Sequence, residues 1–444
     1  MPSELERVHE AARRNRKERF TALLHHVTVE RLRAAFESLS KKASPGVDGV
    51  TWEAYGADLE GNLEGLHGRL HRGAYRAKPS RRVFIPKADG RQRALGVAAL
   101  EDKVVQRAVV EVLNAIYEAD FRGFSYGFRP GRGQHDALDA VWVGLNRKVN
   151  WVLDADIRGF FDAIDHEWML RFVEHRVADK RILRLIQKWL NAGVMEDGGW
   201  KASEEGTPQG ATISPLLANI YLHYALDLWV QQWRTKVARG EVIVVRYADD
   251  FIVGFQYRDD AERFREDLAQ RLRKFSLELH PDKTRLLEFG RFAAANRRSR
   301  GERKPETFDF LGFTHICTVT RAGKFTVKRR SSRKRMTATL KHVKDELMQR
   351  RHHSIPAQGE WLRSVVNGYY AYHAVPLNFD ALVSFQRETL RHWMRALRRR
   401  SQKHRMTWTR LFHIAKRWLP GPKILHPWPA QRLCVTTFGK SPVR

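Results

Sequence analysis

The stretch that decides the fold reads Val242-Ile243-Val244-Val245-Arg246-Tyr247-Ala248-Asp249-Asp250-Phe251-Ile252-Val253. Two runs of mostly β-branched residues flank a short acidic pair, Asp249-Asp250. Such runs favour strands, and a polar pair between them predicts a β-hairpin with carboxylates at its turn. An isolated acidic pair is often only a polar turn, so its meaning depends on the rest of the chain.

A further acidic residue ends another apolar run. Asp156 closes the β-rich segment 151–157 and precedes Asp249 by 93 residues. Burying three acids near one another is unfavourable unless a metal compensates. Hard oxygen ligands on rigid strands suit Mg²⁺, and two such ions about 4 Å apart can activate a 3′-hydroxyl and stabilise a leaving pyrophosphate. Asp156, Asp249 and Asp250 are therefore candidates for a two-metal site, and an ordinary acid-rich hairpin turn is the alternative.

Charge is the strongest signal in the composition. The 444 residues include 80 Lys+Arg and 50 Asp+Glu, a formal net charge of +30, and the pI is near 10.5. Such a field attracts a polyanion, and nucleic acid is the expected partner. The charge is concentrated in residues 321–444, with 28 Lys+Arg against 5 Asp+Glu. This part of the chain is expected to form a distinct basic module.

Length and residue usage narrow the class of protein. The chain is 43% hydrophobic and long enough for two or three domains with a buried core. An anionic membrane surface is the alternative partner for the charge, but the sequence contains no run of 18 apolar residues and opens with no signal peptide, so no membrane association is expected. Two isolated cysteines, Cys317 and Cys434, form neither a disulfide framework nor a zinc site, which fits a reducing, cytoplasmic location.

Periodicity outlines the remaining elements. Residues 44–49 read as a loop rich in turn residues, and residues 87–90 as a hairpin turn after a strand. The region beyond residue 330 is predicted to be helical and basic. Helices are further predicted over residues 1–40, 52–70, 101–119, 171–190, 214–233 and 260–275, and strands over 82–86, 151–157, 308–314 and 325–327.

Ordered motifs resemble those of reverse transcriptases in the form typical of group II intron proteins. Tyr247-Ala248-Asp249-Asp250 resembles their Y-x-D-D signature, and the segment 154–162 resembles their first catalytic strand. The blocks 206–210 and 214–220 together are similar to P-Q-G…S-P-L-L-A-N-I. Seven blocks in family order do not arise by chance, and the resemblance spans residues 25–430. The other matching blocks are 82–96, 126–132, 279–284 and 308–313.

The resemblance implies roles for individual residues. Asp156, Asp249 and Asp250 would hold two Mg²⁺ ions, and the carbonyl of Ile157 would assist. Lys87 and Arg93 would bind the triphosphate, where cations stabilise developing charge. Asp154, Asp162 and Asp165 are interpreted as structural, although Asp154 lies on the same side of its strand as Asp156.

Other implied roles concern the nucleotide. Phe161 would face the sugar, exclude a 2′-hydroxyl and so select dNTPs; because Phe160 is adjacent, a slip by one residue would make Phe161 a core aromatic instead. Gln209 would contact the incoming nucleotide or the template, unless it is only a turn residue. Lys283 would contribute near the palm, with a plain surface lysine as the alternative, and a solvated surface cation is likewise the alternative for Lys87 and Arg93.

The first and last segments that resemble the family are expected to bind RNA. Residues 44–49 resemble a fingers segment that helps to hold template RNA, with an ordinary loop as the alternative. Residues 330–430 resemble the thumb and maturase region, which in that family contacts intron RNA; 419–422 and 426–429 match its Pro-containing motifs. Aromatics and cations at 369–373, Trp393 and 398–400 suit base stacking and phosphate binding, and part of this pattern must be helical core.

Two departures from the family pattern are visible. The chain ends at Arg444 without the His/Cys-rich HNH endonuclease of many relatives, so we expect no nicking of a target strand and a primer from elsewhere. Ala94 stands where the family usually has Pro, which should not abolish activity.

The expected fold is α+β: a right-hand polymerase with α-rich fingers (1–150), an α/β palm with a small antiparallel sheet (151–320) and a helical thumb and maturase region (321–444).

The expected function is RNA-directed DNA synthesis with an RNA template, a DNA primer or target and dNTPs. A role in splicing and mobility of a group II intron, whose RNA the protein would bind, is also expected. Alternatives are a domesticated enzyme in DNA repair or phage defence, an RNA-binding splicing factor with a vestigial polymerase, and an RNA-dependent RNA polymerase. The sequence does not indicate an oligomeric state.

Overall fold

The computed structural model describes residues 4–86, 92–196, 199–202, 206–207, 210–400 and 406–437, without the side chains of 434–437. Lys87 and Gln209, two of the expected nucleotide-binding residues, lie outside the described residues, as does the turn expected at 87–90.

Helices make up most of the described chain. Side chains of Thr28, Thr51, Asp58, Asp165 and Asp179 accept backbone N–H groups at helix N-termini. The helices are α1 Glu4–Arg14, α2 Val29–Glu37, α3 Trp52–Gly56, α4 Leu59–His71, α5 Leu100–Asp120, α6 Gln134–Leu145, α7 His166–Glu174, α8 Lys180–Leu190, α9 Ser214–Leu222, α10 Leu228–Lys236, α11 Arg258–Arg273, α12 Ala293–Ser299, α13 Arg333–Gln349, α14 Ile355–His373, α15 Phe379–Arg398, α16 Trp408–Trp418 and α17 Pro429–Thr437, with 3₁₀ turns Leu24–His26 and Arg350–His352.

The described strands form three small sheets. The central sheet has the order β6-β7-β3-β8 and is antiparallel throughout. A second sheet, β2-β1-β4-β5, carries the segment before residue 87, and a third has the order β11-β10-β9. The strands are β1 Ser80–Pro86, β2 Gln92–Val97, β3 Trp151–Ala155, β4 Val194–Glu196, β5 Gly199–Lys201, β6 Val242–Tyr247, β7 Asp250–Phe255, β8 Arg285–Glu288, β9 Phe308–Phe310, β10 Phe313–Val319 and β11 Phe325–Ser331.

The predicted acidic hairpin is confirmed. Strands β6 and β7 pair with Tyr247 opposite Asp250, which leaves Ala248 and Asp249 as a two-residue turn. Strand β3 pairs antiparallel with β7, and the last pair joins Ala155 to Phe251. In this register the next residue, Asp156, comes opposite Asp250, so acids that are distant in sequence meet at one end of the sheet.

Several predicted elements are divided in the structure. The helix predicted over 1–40 is α1, a 3₁₀ turn and α2, that over 52–70 is α3 and α4, and that over 171–190 is interrupted between α7 and α8. The strand predicted over 308–314 is two strands, β9 and β10.

A further predicted helix has an unexpected interruption. Residues 214–233 were expected to form a single helix, and the structure instead has α9, a π-helical segment from His223 to Asp227, and α10. A π turn holds one extra residue, and such insertions are frequent at functional sites. The spacing of hydrophobic residues does not predict the π-helical segment, because the helices on both sides of it have apolar faces.

The helices after residue 330 have a hydrophobic core of their own. Trp393 is fully buried there, Tyr369 and Tyr370 are 7% and 2% exposed, and the Tyr369 ring stacks on Phe385 with 3.6 Å between centroids. These aromatics are therefore core residues and do not stack on bases, so for them the alternative interpretation is the correct one. Their basic neighbours remain on the outside of the helices.

The architecture is α+β with small antiparallel sheets, as predicted. Within the described residues, none of the helices has both the length and the apolar character needed to cross a bilayer.

Candidate active site

The turn that carries Asp249 is tightly constrained. Ala248 has a φ of 57°, a left-handed conformation that is uncommon for a residue with a side chain. Gly127 lies directly against it, since a Cβ atom at Gly127 would be 2.4 Å from the Ala248 nitrogen. Segment 124–126 runs beside β6 through backbone hydrogen bonds, including Tyr126 N–H to the Arg246 carbonyl at 2.9 Å. Gly127 therefore permits an approach that any larger residue would prevent.

Arg246 anchors this turn from inside the protein. Its side chain is 1% exposed, and all five of its N–H groups have an acceptor. Nε and Nη2 donate to the two oxygens of Asp227 at 2.7 and 2.6 Å, and Nη2 also donates to Ser125 Oγ at 2.7 Å. Nη1 donates to Asn219 Oδ1 at 3.1 Å and to the Ala248 carbonyl at 2.9 Å. The guanidinium thus fixes the backbone of the residue just before Asp249.

The π-helical segment explains how Asp227 and Asn219 reach the same guanidinium. In a regular α-helix, residues eight positions apart are rotated by about 80° from one another. The wider π turn between them reduces this rotation, so both side chains point to Arg246. Asn219 also donates through Nδ2 to the Gly127 carbonyl at 2.7 Å. One interrupted helix therefore holds both sides of the turn.

Asp156 is paired with a cation. Segment 156–158 continues beyond β3 by pairing with 278–280, where His280 N–H donates to the Asp156 carbonyl at 2.8 Å and Arg158 N–H donates to the Glu278 carbonyl at 2.9 Å. The following turn brings Lys283 back over the strand, and its Nζ donates to Asp156 Oδ2 at 2.5 Å. The structure therefore places Lys283 beside Asp156.

Asp154 lies in the same cleft as Asp156 but has a different partner. Its Oδ2 accepts from Nη2 of Arg285 at 3.2 Å, and Arg285 pairs across from it in β8. Burial raises the Asp154 pKa to about 6, although the Arg285 hydrogen bond acts in the opposite direction. The cleft has a volume of about 430 Å³ and is lined by Asp154, Ala155, Asp156, Asp250, Phe251, Asp282, Lys283, Arg285, Asp309 and Phe310.

Burial and neighbouring acids raise the pKa of Asp249 and of Asp250. Asp250 reaches solvent in the cleft, but loss of hydration around its carboxylate, followed by repulsion from Asp249 and Asp156, raises its pKa to about 7. Burial and the charge of Asp156 raise the pKa of Asp249, whereas Arg93 and Lys283 lower it. Arg93, on β2 opposite Ile85, is thus close enough to act on this turn. A bound cation would relieve the repulsion among the three carboxylates.

The donor set suits a hard cation, although its members are not gathered around one point. Among the described residues, no three His, Cys, Asp or Glu side chains are close enough together to form a metal site. Lys283 occupies an oxygen of Asp156, and the charges of Asp249 and Asp156 repel the carboxylate of Asp250. Ile157 follows Asp156 and is buried, with its backbone bridged to Leu279. Carboxylate and carbonyl oxygens are the ligands that Mg²⁺ prefers.

Phe160 and Phe161 have different environments. Phe160 is 2% exposed in the core, whereas Phe161 is half-buried at its edge, in edge-to-face contact with Phe160 at 5.4 Å. The Phe161 carbonyl accepts from Thr207 N–H at 2.8 Å. The start of the 206–210 block therefore lies against the segment that follows Asp156.

Sequence reasoning missed the network around Arg246. The sequence did contain one indication of this network: Arg246 is a charged residue within an otherwise apolar strand. A buried charge requires a partner. The partner itself, Asp227, could not be identified, since many acids in the sequence could fill that role.

Comparisons with known proteins identify the family of this chain. The sequence model of the family described as reverse transcriptase (RNA-dependent DNA polymerase) matches residues 85–315. Protein YkfC of Escherichia coli K12 is 36% identical over 288 residues, which are 57% of this chain and 75% of that protein. The group II intron-encoded protein LtrA of Lactococcus lactis is 34% identical over 237 residues, 53% of this chain and 39% of LtrA. Nuclear intron maturase 3 of Arabidopsis thaliana is 29% identical over 140 residues, 31% of this chain and 19% of the maturase.

The matched range 85–315 covers more than half of the chain and includes Asp156, Asp249, Asp250 and Lys283. The chain therefore belongs to the reverse transcriptase (RNA-dependent DNA polymerase) family, together with the proteins encoded by group II introns.

Proposed function

We propose that this protein is an RNA-directed DNA polymerase in which the 3′-hydroxyl of a primer attacks the α-phosphate of a dNTP. The observation that carries the proposal is the position of Asp156 opposite Asp250, with Asp249 in the adjoining turn. Residues 1–150, 151–320 and 321–444 would act as fingers, palm and thumb.

The three aspartates would bind two Mg²⁺ ions, with the Ile157 carbonyl as a further ligand. When bound, these ions would supply activation of the 3′-hydroxyl and stabilisation of the leaving pyrophosphate. Lys283 donates to Asp156 Oδ2 and would remain beside the ions as an additional positive charge. The raised pKa of Asp250 supports this assignment, since the repulsion that raises it is the repulsion that a cation would remove.

The chain's own cations and aromatics would bind the nucleotide. Arg93, together with Lys87, would contact the triphosphate, and Gln209 would contact the incoming nucleotide or the template. Phe161 would stand against the sugar, and its partly exposed edge supports this over Phe160, whose ring is in the core.

The biological role that we propose is assistance to splicing and mobility of a group II intron. The similarity to LtrA, a group II intron-encoded protein, and to a nuclear intron maturase supports this role, and the basic residues 321–444 support binding of structured RNA. The intron RNA, the DNA target and a cytoplasmic location belong to this proposal.

Primer extension on an RNA template with Mg²⁺ tests the enzymatic part. Wild type should extend a DNA primer with dNTPs and not with NTPs, and Asp249→Asn should lose this activity. Asp259→Asn is the matched control, because Asp259 is an exposed acid on α11 that pairs only at the surface with Arg239. Failure of wild-type protein to extend any primer would overturn the proposal.

An RNA-binding splicing factor without polymerase activity is the second candidate. The basic region after residue 320 favours it, since that region would bind RNA regardless of the acids. Tight RNA binding by a wild-type protein that extends no primer would establish this candidate.

A further inference from the structure

A basic trough lies outside the acidic cleft. It consists of two adjoining concavities of about 140 and 460 Å³ that share Arg184 and Lys188. Arg72 and Arg181 line the first concavity, and Arg76 lines the second. Neither concavity is lined by any Asp or Glu, and neither shares a residue with the cleft around Asp156.

Three arginines of the trough form no ion pair with a described carboxylate. Among the described residues, no carboxylate lies within 4.0 Å of the guanidinium of Arg72, Arg76 or Arg184. By contrast, Arg69 and Lys78, on either side of this segment, are paired with Glu101 and Asp48. Adjacent like charges destabilise a fold, so their grouping in a concave surface indicates an anionic partner.

The trough is built on a fixed frame. Lys188 on α8 donates to the backbone carbonyls of Gly73 and Tyr75, which attaches the chain after α4 to this helix. Arg181 is anchored by Asp179, whose carboxylate also accepts the N–H groups of Leu23 and Leu24. The three uncompensated arginines are thus presented from elements whose relative positions are set by hydrogen bonds.

The spacing of the cations suits a polymeric anion. Arg181, Arg184 and Lys188 lie on one face of α8 and span about 10 Å along its axis. Along the axis of a double helix, about three phosphates of one strand fall within that length. A small anion would use one end of such a trough, whereas a strand can contact all of it.

The apolar lining is inconsistent with a membrane or a base-reading site. Leu24, Leu70, Leu185 and Tyr75 are all at most 5% exposed, so no large apolar side chain of the trough is available to enter a bilayer. The only partly exposed ring of the lining, His71, already packs against His67 with 4.1 Å between centroids. We propose that this trough binds the phosphate backbone of an RNA strand, independently of base sequence, at a site separate from the catalytic cleft.

Titration of a labelled oligouridine of about 20 nucleotides, without Mg²⁺ or nucleotides, tests this site independently of polymerase activity. The variant Arg72→Gln/Arg76→Gln/Arg184→Gln should weaken binding about tenfold or more near physiological salt, and the slope of log Kd against log salt should fall by about 2. The matched control Arg265→Gln/Arg273→Gln/Lys274→Gln removes three exposed cations from α11 and its C-terminus.

A larger loss in the trough variant than in the control, with an unchanged melting temperature, supports the site. Equal losses would mean that only net charge matters, and no loss in either variant would mean that the trough binds no RNA; both results overturn the proposal. Arg184→Glu alone provides a second variant, since Arg184 lines both concavities. If the trough variant loses binding to vesicles containing phosphatidylserine but binds RNA as wild type does, the trough is a lipid site and the proposal is overturned.

Discussion

Arg246 and Asp227 form an ion pair that is buried on both sides, with each side chain 1% exposed. The same guanidinium donates to the Ala248 carbonyl at 2.9 Å, so the pair connects the protein interior to the turn that carries Asp249. A buried charge pair is stabilising only when its remaining hydrogen-bonding groups are satisfied. Here all five N–H groups are satisfied, and the hairpin turn is one of the acceptors.

The first prediction concerns this pair. Arg246→Lys should lower kcat by about 10- to 100-fold with little change in KM, because three ammonium donors cannot replace a planar group with five. Asp227→Asn should destabilise the fold by about 3–5 kcal/mol, since one charge is left buried without its partner. Single-turnover extension and urea unfolding measure the two effects.

The double variant Arg246→Met/Asp227→Leu separates positioning from stability. It should regain stability, because both charges are removed, and still extend primers slowly. If its extension rate is that of wild type, the pair has no positioning role.

The second prediction concerns Gly127. Gly127→Ala should reduce extension strongly, because its Cβ would meet the backbone nitrogen of Ala248 at 2.4 Å and the turn would have to move. Gly65→Ala is the control, since a Cβ there meets nothing within 4 Å and lies in α4; it should raise stability by about 1 kcal/mol. An active Gly127→Ala enzyme would show that the turn tolerates displacement.

The third prediction separates the two acids of the first catalytic strand. Asp156→Asn should abolish extension, whereas Asp154→Asn should retain it, since Asp154 is paired with Arg285. Extension rates at saturating Mg²⁺ and dNTP give the comparison. Equal loss in both variants would place Asp154 among the groups that the reaction needs.

The fourth prediction concerns sugar selection. Phe161→Ala should allow incorporation of ribonucleotides, because a bulky ring at the sugar would exclude the 2′-hydroxyl. Phe160→Ala should leave selection unchanged and destabilise the fold by about 3–5 kcal/mol, as expected for a buried aromatic. Competition between NTPs and dNTPs at one template position measures the ratio of ribonucleotide to deoxyribonucleotide incorporation. If Phe160 faces the sugar instead, Phe160→Ala will admit ribonucleotides and Phe161→Ala will not.

The fifth prediction concerns acid stability. Burial lowers the pKa of His135, His223 and His315 to about 3 and that of His373 to about 4. The unfolded chain therefore binds more protons than the folded chain below pH 6.5, the ordinary histidine pKa. Stability should be fully present above that pH and be lost as the pH falls towards 3, by up to about 1.4 kcal/mol per pH unit for each histidine.

His315→Phe tests the sign of this effect. The His315 ring is fully buried and stacks on Phe308 at 4.7 Å, beside Arg329, so a phenyl ring should keep the packing and remove the titration. Its unfolding free energy should fall less steeply with pH than that of wild type. An identical slope in the two proteins would show that this histidine is not buried in its neutral form.

Local sequence determined the hairpin of β6 and β7, the acids at its turn, the mixed α+β class and the basic character of residues 321–444. Strand alternation, turn chemistry and charge are properties of neighbouring residues, so they can be inferred without the fold. The segment 369–373 shows the limit: its aromatic and basic residues fit both an RNA surface and a helical core, and burial of Tyr369 and Tyr370 was decided by packing against α15.

Only the tertiary structure decided which distant groups meet. Lys283 reaches Asp156 because segment 278–280 pairs beside the end of β3, and Asp227 reaches Arg246 because a π turn rotates it toward Asn219. The physical reason is that the charge of a side chain is visible in the sequence, but its partner is selected by strand register and helix rotation. For Lys283 and Asp156 these depend on contacts between segments 127 residues apart, and for Asp227 and Arg246 on the packing of a helix against a strand 19 residues further on.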